Sequence, residues 1–87
     1  MSREKLITSL DLLKEDNFRP GTKMEQAHQI CQDNEGSPLY DWIHALVHRI
    51  EGDDANAAYW YRSAGKKRHS GPIEEEWQIV RTVIEAG

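Results

Sequence analysis

Between Trp42 and Gly65 the chain carries two apolar helical patterns that meet at Glu51-Gly52-Asp53. Leu39, Trp42, Ile43, Leu46, Val47 and Ile50 recur at offsets of three and four, which predicts one helix from about Pro38 that ends at Gly52. Gly52 tolerates the left-handed conformation that stops a helix, and Asp53 or Asp54 can cap the next one. In that second helix Ala57, Trp60, Tyr61 and Ala64 form one face, while Ala55, Ala58 and Tyr59 form the opposite one. A helix apolar on two faces requires cover on two sides.

The same periodicity runs through the rest of the chain, and no segment alternates as a half-buried strand does. A first helix is expected over about residues 3 to 15, with Leu6, Ile7, Leu10 and Leu13 on one face, after a charged turn Ser2-Arg3-Glu4-Lys5. The loop Asn17-Phe18-Arg19-Pro20-Gly21 ends it, and Phe18 is expected to plug the core from there. Thr22 and Glu25 have the spacing of a capping box for a second helix to about Asn34, whose inward stripe is Met24, Ala27, His28 and Cys31. Gly36 then terminates that helix, and Ser37-Pro38 starts the third. A fifth helix begins near Gly71-Pro72, places Glu74, Glu75 and Glu76 where the helix dipole favours anions, and buries Ile73, Trp77, Val80 and Ile84. The expected fold is therefore all-α, a compact bundle of about five helices in a single domain over 1–87, with an antiparallel hairpin at its centre.

Glu51-Gly52-Asp53, Asn56-Ala57, Tyr59-Trp60-Tyr61-Arg62 and Ala64-Gly65 resemble the second half of a tetratricopeptide-like repeat of the Sel-like kind. A wider resemblance, from Ala27-His28 through Gln32-Asp33, Trp42-Ile43-His44-Ala45 and His48-Arg49-Ile50 to Glu76-Trp77, is to a group of small uncharacterised bacterial proteins. It implies an all-helical cytoplasmic protein and no particular activity. Only one repeat-like hairpin is visible, whereas stacked repeats need about three for stability. The flanking helices or a second subunit must then act as caps.

Charge and cysteine content narrow the function classes. Fifteen acidic against 11 basic side chains give a formal charge of −4, the wrong sign for docking on a phosphate backbone, so nucleic acid is an unexpected partner. The single cysteine, Cys31, has no internal disulfide partner, and no long apolar run suggests a signal peptide or membrane span. A reducing cytoplasm and no membrane partner are expected. Serines 2, 9, 37, 63 and 70 lack a local nucleophile signature, and the glycines form no phosphate-cradling motif. Cys31 near His28 has the elements of a thiolate and a base, but both lie on an inward stripe where a thiol is inert packing.

The sharpest chemical signal is His28, Cys31, His44 and His48, spaced His-x2-Cys-x12-His-x3-His. That spacing imitates a zinc finger, but its first two ligands fall on a capped helix instead of a β-hairpin. His44 and His48, one helical turn apart, can instead share a transition metal such as zinc with His28 or a neighbouring carboxylate. The alternative places His28 in the core and His44 and His48 on the flank and far side of the third helix, hydrogen-bonded to its neighbours. Glu51, Asp53 and Asp54 sit where a helix ends and another starts, so capping is the expected role over acid-base work with a histidine.

Two surface features complete the inventory. Lys66, Lys67 and Arg68 concentrate positive charge in an acidic chain, as a solvated linker or an anion or acidic-partner contact. Among the aromatics, Tyr40 and Tyr59 are expected to remain accessible, whereas Trp42, Trp60, Tyr61 and Trp77 match packing stripes. Trp60→Ala is expected to cost about 3–5 kcal/mol. The recognisable residues build helix pairs, so a non-catalytic protein-interaction or scaffold role, with self-association as a possible homodimer, leads. A metal-binding protein or metal-dependent enzyme using His28, His44 and His48 is the rival.

Overall fold

The computed structural model describes residues 3–87, so Met1 and Ser2 of the expected 1–87 domain lie outside the described residues. Its five helices are α1 (Arg3–Glu15), α2 (Thr22–Gln32), α3 (Pro38–Glu51), α4 (Asp54–Ala64) and α5 (Ile73–Ala86), with no strand among the described residues. The all-α fold class and the five-helix arrangement are as the periodicity predicts. No helix among the described residues is long and apolar enough to cross a membrane.

The helix boundaries follow local chemistry in most places. Pro38 occupies the first turn of α3, where its missing N–H costs nothing. Gly52 ends α3 at φ 80°, with its N–H donating to Arg49 O and that of Asp53 to His48 O. Asp53 caps α4 by accepting from the Asn56 backbone N–H at 3.3 Å and from Asn56 Nδ2 at 2.6 Å. The α2 start differs from expectation. Gly21 is the N-cap and Thr22 already the first helical residue, one position too late for its hydroxyl to close a capping box with Glu25. At the other end α2 stops at Gln32, because Asn34 Nδ2 reaches back to Ile30 O at 2.8 Å and the backbone turns through Gly36.

Helix α3 is the axis of the molecule, packing against α1, α2, α4 and α5. Nine consecutive residues, Tyr40 to His48, are buried in it as a result. This overturns two expectations. Tyr40 is 2% exposed and so offers no accessible surface, and His44 (2%) and His48 (9%), expected on the flank and far side of the helix, are enclosed with the rest of the buried run. Neighbours on several sides of α3 bury more of it than the face that its apolar spacing marks.

Leu10, Leu13, Met24, Ala27, Ile43, Leu46, Val80 and Ile84 fill the centre. Trp77 is buried and its indole N–H donates to Leu10 O at 2.8 Å, while Phe18 packs edge-on against it from the α1–α2 loop, as expected. On α4 the fully enclosed aromatic is Tyr61; Trp60 is only half-buried against the core edge. Its truncation removes less buried area than assumed, and the expected cost falls to about 2 kcal/mol.

A candidate metal centre between three helices

His44 and His48 are one turn apart on α3, which stacks their rings on one face at 5.0 Å between centroids and 19° between planes. His28 comes from α2 and stands edge-on to both, at 4.8 Å from His44 and 5.1 Å from His48. One ligand atom from each of the three lies within 4.8 Å of the others. Helices that pack on different sides of α3 thus bring together residues 16 and 20 positions apart in the chain.

The donor set suits a borderline-soft cation. His28 Nε2 and His44 Nε2 are 3.0 Å apart. A tetrahedral zinc ion with Zn–N of about 2.0–2.1 Å asks for about 3.3 Å between ligand atoms, so this pair is already near that separation. The third must close from as much as 4.8 Å, by up to about 1.5 Å, which side-chain rotation provides. His48 Nδ1 lies 2.8 Å from Glu51 Oε1, so its Nδ1–H is placed to donate to that carboxylate and Nε2 is the ring nitrogen left to face an ion. A carboxylate behind a histidine is the usual device for orienting a metal ligand and raising its basicity.

His44 is the centre of the group and the most enclosed member. Trp60 from α4 lies flat on its other face, 3.9 Å between centroids at 12°, so the imidazole is held between an indole and His48. Burial, and after it the neighbouring His28 and His48, push its pKa down to about 3, which keeps the ring neutral and ligand-competent at neutral pH. His44 Nδ1 is buried with no hydrogen-bond partner among the described residues. Such an orphaned group ordinarily costs about 1–3 kcal/mol.

Other candidate residues fall elsewhere. Cys31 is fully buried on α2 and outside the histidine cluster, and burial followed by the nearby Asp41 carboxylate pushes its thiol pKa up, which removes it as a nucleophile. Asp53 caps α4 and Asp54 pairs with Arg68 at 2.8 Å, as a turn-forming role requires, while Glu51 joins the histidines. Tyr59 is exposed as expected, at 54%. Lys66, Lys67 and Arg68 are all exposed, with the Lys66 ammonium 4.8 Å from the Trp42 ring centroid.

One participant leaves no mark in the sequence, and a second does. Trp60 matches the packing stripe of α4 and instead covers His44, for which no sequence signal exists short of knowing how α4 crosses α3. Glu51, three residues after His48 on the same helical face, was legible as a partner from spacing alone. Compared with protein-family models, curated proteins and solved structures, the chain matches none.

Proposed function

We propose that this chain binds a divalent transition ion of the zinc class through His28, His44 and His48. The observation that carries the proposal is the convergence of three imidazoles within 4.8 Å, from two helices, around a ring kept neutral by burial. Imidazole donors suit zinc, copper, nickel and iron, and a three-histidine set with tetrahedral spacing favours zinc. Glu51 orients His48, and Trp60 fixes the plane of His44 and keeps water from its face. Three protein ligands leave a fourth position for water or for a side chain, so the ion when bound supplies Lewis acidity there.

The test is zinc uptake by chelator-treated protein, followed by dialysis and elemental analysis. One ion per chain is expected, with loss of uptake in His28→Ala and His44→Ala and retention in His69→Ala, whose ring sits apart against Glu75. Absence of stoichiometric zinc, or unchanged affinity in the His44 variant, overturns the proposal.

A second function class rests on a separate observation: Ala55, Ala58 and Tyr59 on the outer face of α4 are all exposed. An interaction module built on a tetratricopeptide-like hairpin, covering that face with a second copy of the chain, is consistent with it. Sedimentation at micromolar concentration separates the cases, since a strictly monomeric species removes the homodimer.

A further inference from the structure

The segment after α4 turns at Gly65 and runs back along the helix it has just left. Its course is fixed at two points. Arg49 Nη1 donates to His69 O at 3.3 Å and Nη2 to Gly71 O, and Arg68 pairs with Asp54 at 2.8 Å, at the opposite end of α4 from the turn. Between the returning segment and the α4 stripe of Asp54, Ala58, Tyr61 and Arg62 lies a surface cavity of about 270 Å³. Lys66, Lys67 and Arg68 close its other side.

Four cations and one carboxylate give this cavity a formal charge of +3 in a chain of net −4. Arg68 is neutralised by Asp54, and Lys66 is engaged with the Trp42 ring. Arg62 and Lys67 are exposed and make no ion pair among the described residues. Cations at a helix C-terminus complement its dipole, which accounts for Arg62 in the last turn of α4. It does not account for Lys67, which lies beyond the helix, or for the anchoring of the segment that carries it.

The geometry points to a binding site for a small phosphate monoester, with Arg62 and Lys67 taking the phosphate and Ala58 and Tyr61 lining the place of an apolar body. A guanidinium and an ammonium, both unpaired, match a phosphate dianion in charge, and the planar guanidinium matches its oxygens in shape. The volume sets the size of the ligand. The cavity falls just below the roughly 300–1,000 Å³ of sites for drug-sized molecules, which limits the ligand to about the size of a phosphosugar or nucleoside monophosphate and excludes a dinucleotide. Asp54 at the far end is paired with Arg68, so that end offers no free cation to a second anionic group.

Calorimetric titration and amide-shift mapping of the full chain test this with adenosine monophosphate, adenosine, inorganic phosphate and a single-stranded RNA oligomer as probes. The monophosphate is expected to bind at least about tenfold tighter than adenosine or inorganic phosphate, with shifts at Ala58, Arg62 and Lys67. The double variant Arg62→Ala/Lys67→Ala, at two exposed positions that leave the core intact, is expected to weaken it by at least about tenfold. His44→Ala is expected to leave it unchanged, which separates this cavity from the histidine centre. Absence of binding at millimolar monophosphate, equal binding of inorganic phosphate, persistence in the double variant, or binding of the RNA alone overturns the assignment.

Discussion

His44 shows how burial converts an ordinary titratable side chain into a constraint on the whole fold. Its folded pKa, about 3, lies below the ordinary histidine value of 6.5, so the unfolded chain binds a proton in the interval that the folded chain refuses. The sign follows directly: the contribution is fully present above about pH 6.5 and is lost as pH falls from there toward 3. The slope approaches about 1.4 kcal/mol per pH unit for one group. In chelator-treated protein, urea unfolding is therefore expected to show about 1–2 kcal/mol less stability at pH 5 than at pH 7.5. His44→Leu, which has no proton to refuse, is expected to flatten that difference; an equally steep loss in the variant places the acid sensitivity elsewhere. The chemistry of the histidines was legible in the sequence as three ligands in a workable spacing, but their enclosure was not. The helical wheel of α3 gives direction relative to one neighbour, whereas the burial of His44 depends on Trp60 arriving from α4 and His28 from α2.

At the level of elements, the end of α3 is joined to α4 and α5 by one buried carboxylate. Glu76 is 1% exposed; its Oε1 accepts from Tyr61 Oη at 2.8 Å and from Arg49, and its Oε2 from Trp42 Nε1 at 3.1 Å. The ion pair with Arg49 is nearly dry, with the arginine side chain 11% and the glutamate 1% exposed. In the sequence Glu76 stands third in an acidic run at a helix start, and its spacing from Glu74 and Glu75 carries no mark of an inward direction. Its partners lie 15, 27 and 34 positions away, so dipole complementarity is the only role that the local sequence marks for it. Removing one partner of such a pair leaves an uncompensated buried charge, at a cost of about 3–5 kcal/mol. Glu76→Ala is expected to lose that much by equilibrium unfolding, while Glu74→Ala, exposed on the same turn, stays within about 0.5 kcal/mol of the parent. Similar losses in the two variants refute the latch. What sequence did specify at this scale were the stops and starts with one local cause: Pro38, Gly52 and Asp53 each fix a boundary by backbone chemistry alone. The α2 start failed because two residues, Gly21 and Thr22, compete for the cap and only the preceding loop decides between them.

Across the molecule, the helices wrap α3 so tightly that the Cα radius of gyration is 11.3 Å, against about 12 Å expected for this length. The wrapping is uneven. Helix α2 packs on α1 and α3 but makes no backbone approach to α4 or α5, and the histidine cluster sits where α2 meets α3 beside α4. An ion held by His28 together with His44 and His48 ties α2 to the axis beside α4, a helix that α2 does not otherwise approach. Binding to the folded chain and not to the unfolded one then stabilises by mass action, about 2.7 kcal/mol when free zinc is 100 times its dissociation constant. For a domain of this size each kcal/mol raises the melting temperature by about 4–8 °C, so a rise of about 10–20 °C is expected on zinc addition. Magnesium, an oxygen-seeking ion, is expected to produce none. The rise should vanish in His28→Ala, which removes the α2 ligand and leaves the α3 pair in place. A rise that survives that substitution means that α3 alone holds the ion, and the join between helices is then no part of its stabilising effect.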